Sequence, residues 1–191
     1  MRRLFRSFER SSVRYLLISG QASVLYGAAT FSEDVDVWID PTSANVRKLL
    51  RALEKLRARY YKLTPPLTRR NLLAGHGFHF VVPDRPLPIY LDVMGRPPRV
   101  GSFAAALRRA TILTVESVTV PVVAPEDLVL LKLTRRLSDY EVISELARIR
   151  VAQARSAPRS RLATLRWGVR WTFRAADRVS WAREMGRARS I

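Results

Sequence analysis

Apolar residues in this chain fall into short runs with a period of two and longer stretches with a period near 3.6, in alternation. Arg14 to Ser19 (RYLLIS) reads as a buried strand, and a small-residue turn, Ser19-Gly20-Gln21-Ala22, follows it. Gln21 to Ala29 reads as a helix that starts at the turn. Glu33 to Ile39 reads as a second strand. Residues i and i+2 of a strand share a face, so Asp34, Asp36 and Trp38 point the same way. Pro41-Thr42-Ser43 opens a helix with a hydroxyl cap, expected to run to about Arg59. Its apolar positions Val46, Leu49, Leu50, Leu53 and Leu56 keep helical spacing.

Residues 63–76, with Pro65, Pro66, Arg69 and Arg70, read as loop. Phe78 to Val82 and Ile89 to Met94 read as strands joined by a Pro-Asp-Arg-Pro turn, the second placing Tyr90, Asp92 and Met94 on one face. Ser102 to Arg109 is a short predicted helix, and Thr111 to Val115 with Val118 to Val123 a predicted hairpin. Ala124-Pro125-Glu126-Asp127 opens a helix expected to reach about Arg136, with another from Ser138 to Arg150. Residues 2–12 form a short amphipathic basic helix. The composition shifts past Arg150: residues 150–191 hold eleven Arg and two acids, Asp177 and Glu184. Ser156-Ala157-Pro158 marks a break, and one long helix is expected from about Arg161. The expected organisation is a domain over 1–150 and a basic helical extension over 151–191.

Composition narrows the chemistry. With 191 residues and 48% hydrophobic content the chain can bury one real core. No cysteine is present, which excludes disulfides, Cys-ligated zinc and thiol catalysis. Two histidines, His76 and His79, flank Gly77 at a strand entry and are read as structural. No apolar run approaches the roughly 20 residues of a membrane span, and Glu9, Arg10 and Arg14 interrupt the signal-like start, so a cytoplasmic, non-membrane protein is expected. The net charge of +18 and pI near 11.5 favour polyanionic partners, nucleic acid first. Arg outnumbers Lys 30 to 4, which GC-rich coding also produces.

Candidate chemistry centres on the carboxylates. Two side by side on a strand repel unless a cation lies between them. Asp92 is a third, set inside the apolar run Ile89-Tyr90-Leu91-Asp92-Val93, where a lone charge is costly. The Ser19-Gly20 turn lets backbone N–H groups approach phosphates. Lys132, in the apolar stretch Leu128 to Leu133, is the one lysine far from the 48–62 segment, and a compact charge there suits a tight phosphate pocket. Asp139 lies seven residues on, about two turns along an uninterrupted helix, placed to orient Lys132 or an acceptor.

Residues 15–145 resemble the minimal nucleotidyltransferases of the DNA polymerase β superfamily, in particular the AbiEii-like and MenT-like families. The pieces that carry the resemblance are LISGQASVLYG (17–27), SEDVDVWIDPTSANVRKLL (32–50), IYLDVMG (89–95) and VAPEDLVLLKL (123–133). The chain departs from the family in three places. The turn is Ser19-Gly20 where relatives have Gly-Gly or Gly-Ser. Thr30 stands where an Arg often precedes the first acidic motif. Val142 stands where many relatives carry a further Asp after Asp139.

The resemblance implies a mixed, twisted α/β sheet flanked by helices, with a helical C-terminal extension. It implies transfer of a nucleoside monophosphate from a nucleoside triphosphate, ATP among them, to a hydroxyl, with release of pyrophosphate. Asp34, Asp36 and Asp92 would hold Mg²⁺ or Mn²⁺, and Asp34, Asp36, Asp92 and Lys132 would be catalytic. Ser19, Gly20, Gln21, Ser23, Ser32, Lys132 and Asp139 would contact the nucleotide. The acceptor could be transfer RNA, a protein or a small molecule, and the family includes toxins that pair with an antitoxin. In the C-terminal segment Leu162, Leu165, Val169, Phe173 and Ala176 form an apolar stripe. Arg170, Arg174 and Arg178 with Trp167 and Trp171 would lie on another face, a pattern that fits RNA contact or a packing surface. The alternative is a non-catalytic nucleic-acid-binding protein on a degenerate nucleotidyltransferase fold.

Overall fold

The computed structural model describes residues 1–154 and 158–187. The chain forms two compact units. One comprises Met1–Ala22 and Phe31–Leu131, the other Ser23–Thr30 and Lys132–Ile191. Residue 150, the boundary expected from composition, lies inside a helix of the second unit, α7 (Leu137–Gln153).

The first unit is built on a seven-stranded mixed sheet. Its strands are β1 (Tyr15–Ile18), β2 (Asp34–Ile39), β3 (Arg59–Tyr60), β4 (Gly77–Val82), β5 (Ile89–Met94), β6 (Thr111–Val115) and β7 (Val118–Val122), in the order β3-β4-β5-β2-β1-β7-β6. β2 runs antiparallel to β1 and parallel to β5, β1 is parallel to β7, and the outer pairs are antiparallel. Every strand expected from the periodicity forms, and the two-residue β3 is an addition. The expected α/β fold with a mixed sheet flanked by helices is the one observed.

One face of the sheet is buried across its central strands, while the other is open at β4 and β5 and closed at Trp38 and Leu16. Burial alternates along β4 and β5: Phe78, Phe80, Val82, Leu91 and Val93 are buried, while His79, Tyr90, Asp92 and Met94 keep solvent access. In β2, Val35, Val37 and Ile39 face the buried side. Register extends that side to Tyr15 and Leu17 of β1. The N-terminal helix α1 (Arg2–Arg10) covers it, with Phe5 stacked on Tyr15 and Phe8 meeting it edge-on. Beside α1 lies α3 (Ser43–Lys55), capped by the Thr42 hydroxyl accepting from Asn45 N–H. Ser7 Oγ of α1 donates to the Ala52 carbonyl of α3 at 3.4 Å.

Several boundaries differ from the expectation. α3 ends at Lys55, with Arg57 in the left-handed region at φ 56°, so it does not reach Arg59. The segment read as loop contains α4 (Arg69–Leu73), because Thr68 caps it and Leu72 is fully buried against Gly95. α5 (Phe103–Arg109) forms as expected, and Phe103 meets Trp38 edge-on. α6 (Pro125–Leu131) stops five residues short of Arg136.

The second unit is helical. α7 is followed by α8 (Pro158–Trp171) and α9 (Ala175–Arg187). The single long tail helix is therefore two, interrupted at Thr172-Phe173-Arg174. There Ser144 Oγ accepts from Phe173 N–H at 2.9 Å, and Thr172 is fully buried. The expected break at Ser156-Ala157 lies outside the described residues, and Pro158 begins α8. Trp167 and Trp171 do not form an open face: with Val169 and Met185 they pack on the core of Ala147, Val151, Leu165 and Trp181. The reason is crowding, since Gly168 lets α8 approach so closely that a Cβ there would meet Val151 at 2.6 Å and Trp181 at 3.0 Å.

No helix of the described residues is long and apolar enough to cross a membrane.

Candidate active site

Strand register gathers the three aspartates. Along the parallel β2–β5 pair, Asp36 lies opposite Asp92 and Asp34 opposite Tyr90. Cross-strand partners share a face, so Asp34, Asp36 and Asp92 stand together on the open side of the sheet. Neighbouring strands are about 4.8 Å apart, and at roughly that separation two carboxylates repel by about 1–3 kcal/mol between water and a surface dielectric. The arrangement calls for positive charge.

One side-chain partner comes from β4. The antiparallel register sets His79 opposite Asp92, with His79 Nδ1 2.8 Å from Asp92 Oδ1. Tyr61 Oη donates to the same oxygen at 3.4 Å. Tyr61 also meets His79 and Tyr90 edge-on, its ring centroid 5.9 and 5.2 Å from theirs. Lys62 Nζ lies 4.9 Å from the centre of the Tyr61 ring. The Lys62 ammonium is held above the ordinary lysine range, first by its hydrogen bond with Tyr61 and more weakly by the charges of Asp92 and Asp34. Burial, and then those same carboxylates, push the Tyr61 hydroxyl upward, while Lys62 pulls it down. Tyr61 and Lys62 carry no local sequence signal of a site. His79, read from the sequence as structural, was missed; the signal that finds it is the β4–β5 hairpin count, which pairs it with Asp92 once the strand ends are placed.

The small-residue turn is tied directly to the aspartate strand. The short helix α2 (Ser19–Leu25) begins at the turn itself, two residues earlier than expected, and ends before Gly27, whose φ of 80° stops it. Ser19 sits in the left-handed region at φ 58°. Gly20 is required for close approach, because a Cβ there would lie 2.1 Å from Ser32 Oγ and 2.8 Å from Ser32 Cβ. Gln21 Nε2 donates to the Ser32 carbonyl at 2.8 Å, and Ser32 Oγ to the Asp34 carbonyl at 3.2 Å. Ser19, Gly20, Gln21 and Ser32 are thus brought together beside Asp34. Ser23 is not at the surface, being fully buried.

Lys132 and Asp139 meet, but not along a helix. α6 ends at Leu131, and the turn over residues 132–136 folds Lys132 back onto α7. Lys132 Nζ lies 2.8 Å from Asp139 Oδ1, with the two side chains only 14% and 9% exposed. Thr134 Oγ1 donates to Asp139 Oδ2. The tail arginines are largely engaged within the second unit. Arg174 binds Glu141 and Glu145, Arg161 binds Glu184 and the Val151 carbonyl, and Arg178 donates to the Thr172 carbonyl. Arg170 lies over the Trp171 ring.

Among the described residues, no three His, Cys, Asp or Glu side chains are gathered closely enough to hold a metal ion alone. Three carboxylates on adjacent strands are nevertheless the hard oxygen donors that Mg²⁺ takes, and Mg²⁺ commonly completes its shell with substrate phosphates and water.

No family model and no curated protein matches the sequence. Solved structures that resemble it in fold include two enzymes. One is the lincosamide antibiotic adenylyltransferase LnuA with lincomycin bound, at 17% identity and a TM-score of 0.51, over 74% of this chain and 90% of that one. The other is ANT(2")-Ia in complex with adenylyl-2"-tobramycin, at 14% identity and a TM-score of 0.51, over 84% and 95%. The seven-stranded sheet and its helices are a nucleotidyltransferase fold.

Proposed function

We propose that the protein is a Mg²⁺-dependent nucleotidyltransferase that moves a nucleoside monophosphate from a nucleoside triphosphate to a hydroxyl acceptor. The observation that carries this reading is the register of Asp36 on Asp92, with Asp34 one pleat away and the Ser19-Gly20 turn anchored beside it through Ser32. Asp34, Asp36 and Asp92 would hold the cation, Mg²⁺ or Mn²⁺. When bound, the cation supplies charge neutralisation for the triphosphate oxygens.

The protein's own groups divide the remaining work. The acceptor oxygen attacks the α-phosphorus as its proton passes to Asp92, and the bond to the β-phosphate oxygen breaks to release pyrophosphate. His79 and Tyr61 fix the Asp92 carboxylate through Oδ1 while it takes the proton. Backbone N–H groups at Gly20 and Gln21 would receive phosphate oxygens. Lys132, with Asp139 orienting it, is the expected phosphate cation. The high positive charge favours a polyanionic acceptor such as transfer RNA over a cationic small molecule. A toxin role with an antitoxin partner remains part of this proposal.

The test is incubation with each α-³²P-labelled nucleoside triphosphate, Mg²⁺ and total transfer RNA, beside an Asp34→Ala/Asp36→Ala variant. Label transferred by the wild type alone supports the reading and identifies nucleotide and acceptor class. Equal RNA retention by both proteins without label would favour the non-catalytic binding alternative.

A further inference from the structure

The geometry points to a nucleic-acid docking surface on the face of the sheet opposite the three aspartates, formed by α1 and α3. Asp34 and Asp36 share a face with Trp38, whereas Val37 and Ile39 share theirs with Tyr15, on which Phe5 and Phe8 of α1 pack. The outer sides of α1 and α3 are therefore remote from the carboxylates.

Both helices carry the same cation pattern. In α1, Arg3, Arg6 and Arg10 stand at i, i+3 and i+7, opposite the buried Leu4, Phe5 and Phe8. In α3, Lys48, Arg51 and Lys55 stand at i, i+3 and i+7, opposite the buried Val46, Leu49 and Leu53. Such spacing makes one ridge on each helix, and the helices are neighbours. Two grooves that share Arg10, Ser11 and Lys55 run along them, of about 720 and 340 Å³. The larger also holds Asp84 and Glu116, which face the N-terminal ammonium at 3.6 and 3.9 Å. The smaller is lined by Arg10, Lys48, Arg51 and Lys55 with Ser11 and Ser12, and by no acid. The Ser11 hydroxyl oxygen is buried at the groove wall and has no hydrogen-bond partner among the described residues.

Like charges at helical spacing repel, so four cations around one groove suit a ligand with regularly spaced negative charge. A phosphodiester backbone has that spacing. The grooves hold no aromatic side chain for base stacking, so recognition here is of backbone and not of sequence. A membrane surface fits poorly, because it needs apolar side chains between the cations and those of α1 are fully buried. The contrast with the C-terminal helices is chemical. Arg161 and Arg174 are neutralised there by glutamates and Arg170 lies over the Trp171 ring, whereas the four groove cations, which share one acid-free groove, have no ion-pair partner among the described residues.

The test is fluorescence anisotropy of an RNA hairpin and a DNA hairpin of matching sequence, titrated at stepped salt. The proteins are the full chain, the groove variant Arg10→Gln/Lys48→Gln/Arg51→Gln/Lys55→Gln, and the charge-matched tail variant Arg166→Gln/Arg170→Gln/Arg183→Gln/Arg187→Gln. The groove variant is expected to flatten the salt slope by about 3 and to weaken binding at least tenfold, with the tail variant close to wild type. A Lys48→Gln/Arg51→Gln pair, expected to give about half the slope change, serves if the fourfold variant unfolds. Which hairpin binds more tightly distinguishes RNA from DNA. Equal losses in the two fourfold variants, a loss confined to the tail variant, or groove-dependent binding of anionic vesicles without hairpin binding each overturn the inference. Repeating the titration with Asp34→Ala/Asp36→Ala keeps it separate from the proposed chemistry, since hairpin binding is expected to be unchanged.

Discussion

His79 Nδ1 lies 2.8 Å from Asp92 Oδ1 across the β4–β5 pair, so the carboxylate opposite Asp36 is held by an imidazole from the next strand. Under the proposed function this carboxylate would both bind a cation and receive a proton, and it would gain from a fixed orientation. His79→Phe is expected to lower kcat by about 10–100-fold with KM for the nucleotide little changed. His79→Gln, which keeps a hydrogen-bond donor, should recover part of the loss. Equal kinetics for wild type and His79→Phe would remove His79 from the mechanism.

The stacked carboxylates predict a metal-linked stability. Under the proposed function Mg²⁺ would bind the folded arrangement and not the unfolded chain, so saturating Mg²⁺ should raise Tm. Asp36→Asn/Asp92→Asn should abolish that rise while lowering turnover by at least about 100-fold. Thermal melts with and without Mg²⁺ check the first effect independently of any acceptor.

Gly20 and Ser32 predict a double-mutant cycle. A Cβ at Gly20 would lie 2.1 Å from Ser32 Oγ and 2.8 Å from its Cβ. Gly20→Ala is expected to cost about 1–3 kcal/mol. Adding Ser32→Gly removes both clashing atoms and should recover most of it, an interaction measurable by urea unfolding.

The Lys132–Asp139 pair predicts an asymmetric cost. Lys132→Met leaves Asp139 buried with Thr134 alone and is expected to cost about 3 kcal/mol. The double variant Lys132→Met/Asp139→Leu should regain most of that stability, because it leaves no uncompensated charge.

Lys62 titrates above the ordinary lysine range because its charged form is hydrogen-bonded to Tyr61 and faces Asp92 and Asp34. A raised lysine pKa means the protonated form is favoured in the folded state, a preference lost as pH rises through that pKa. Tyr61→Phe removes the largest cause, so the Lys62 pKa should fall. A ¹⁵N titration of the Lys62 ammonium in both proteins measures the direction.

The sequence alone determined the strands and the faces of their side chains. A period of two fixes that Asp34, Asp36 and Trp38 share a side, as do Tyr90, Asp92 and Met94, whatever packs around them. Caps and breakers set some helix starts, as Thr42 and Pro125 did. Periodicity failed where long-range contacts decide. Leu72 packing on Gly95 makes a helix of a segment read as loop, and the turn after Leu131 interrupts one expected to continue. Only the tertiary structure placed β2 beside β5 in the register that sets Asp36 on Asp92, because strand order is settled by how distant segments bury their apolar faces together. It also decided between RNA contact and packing for Trp167 and Trp171, which lie against a core, since Gly168 admits a helix contact that no local pattern encodes. The α1 and α3 cation ridges were each written in helical spacing. Their meeting around one groove was a consequence of both helices covering the same buried face.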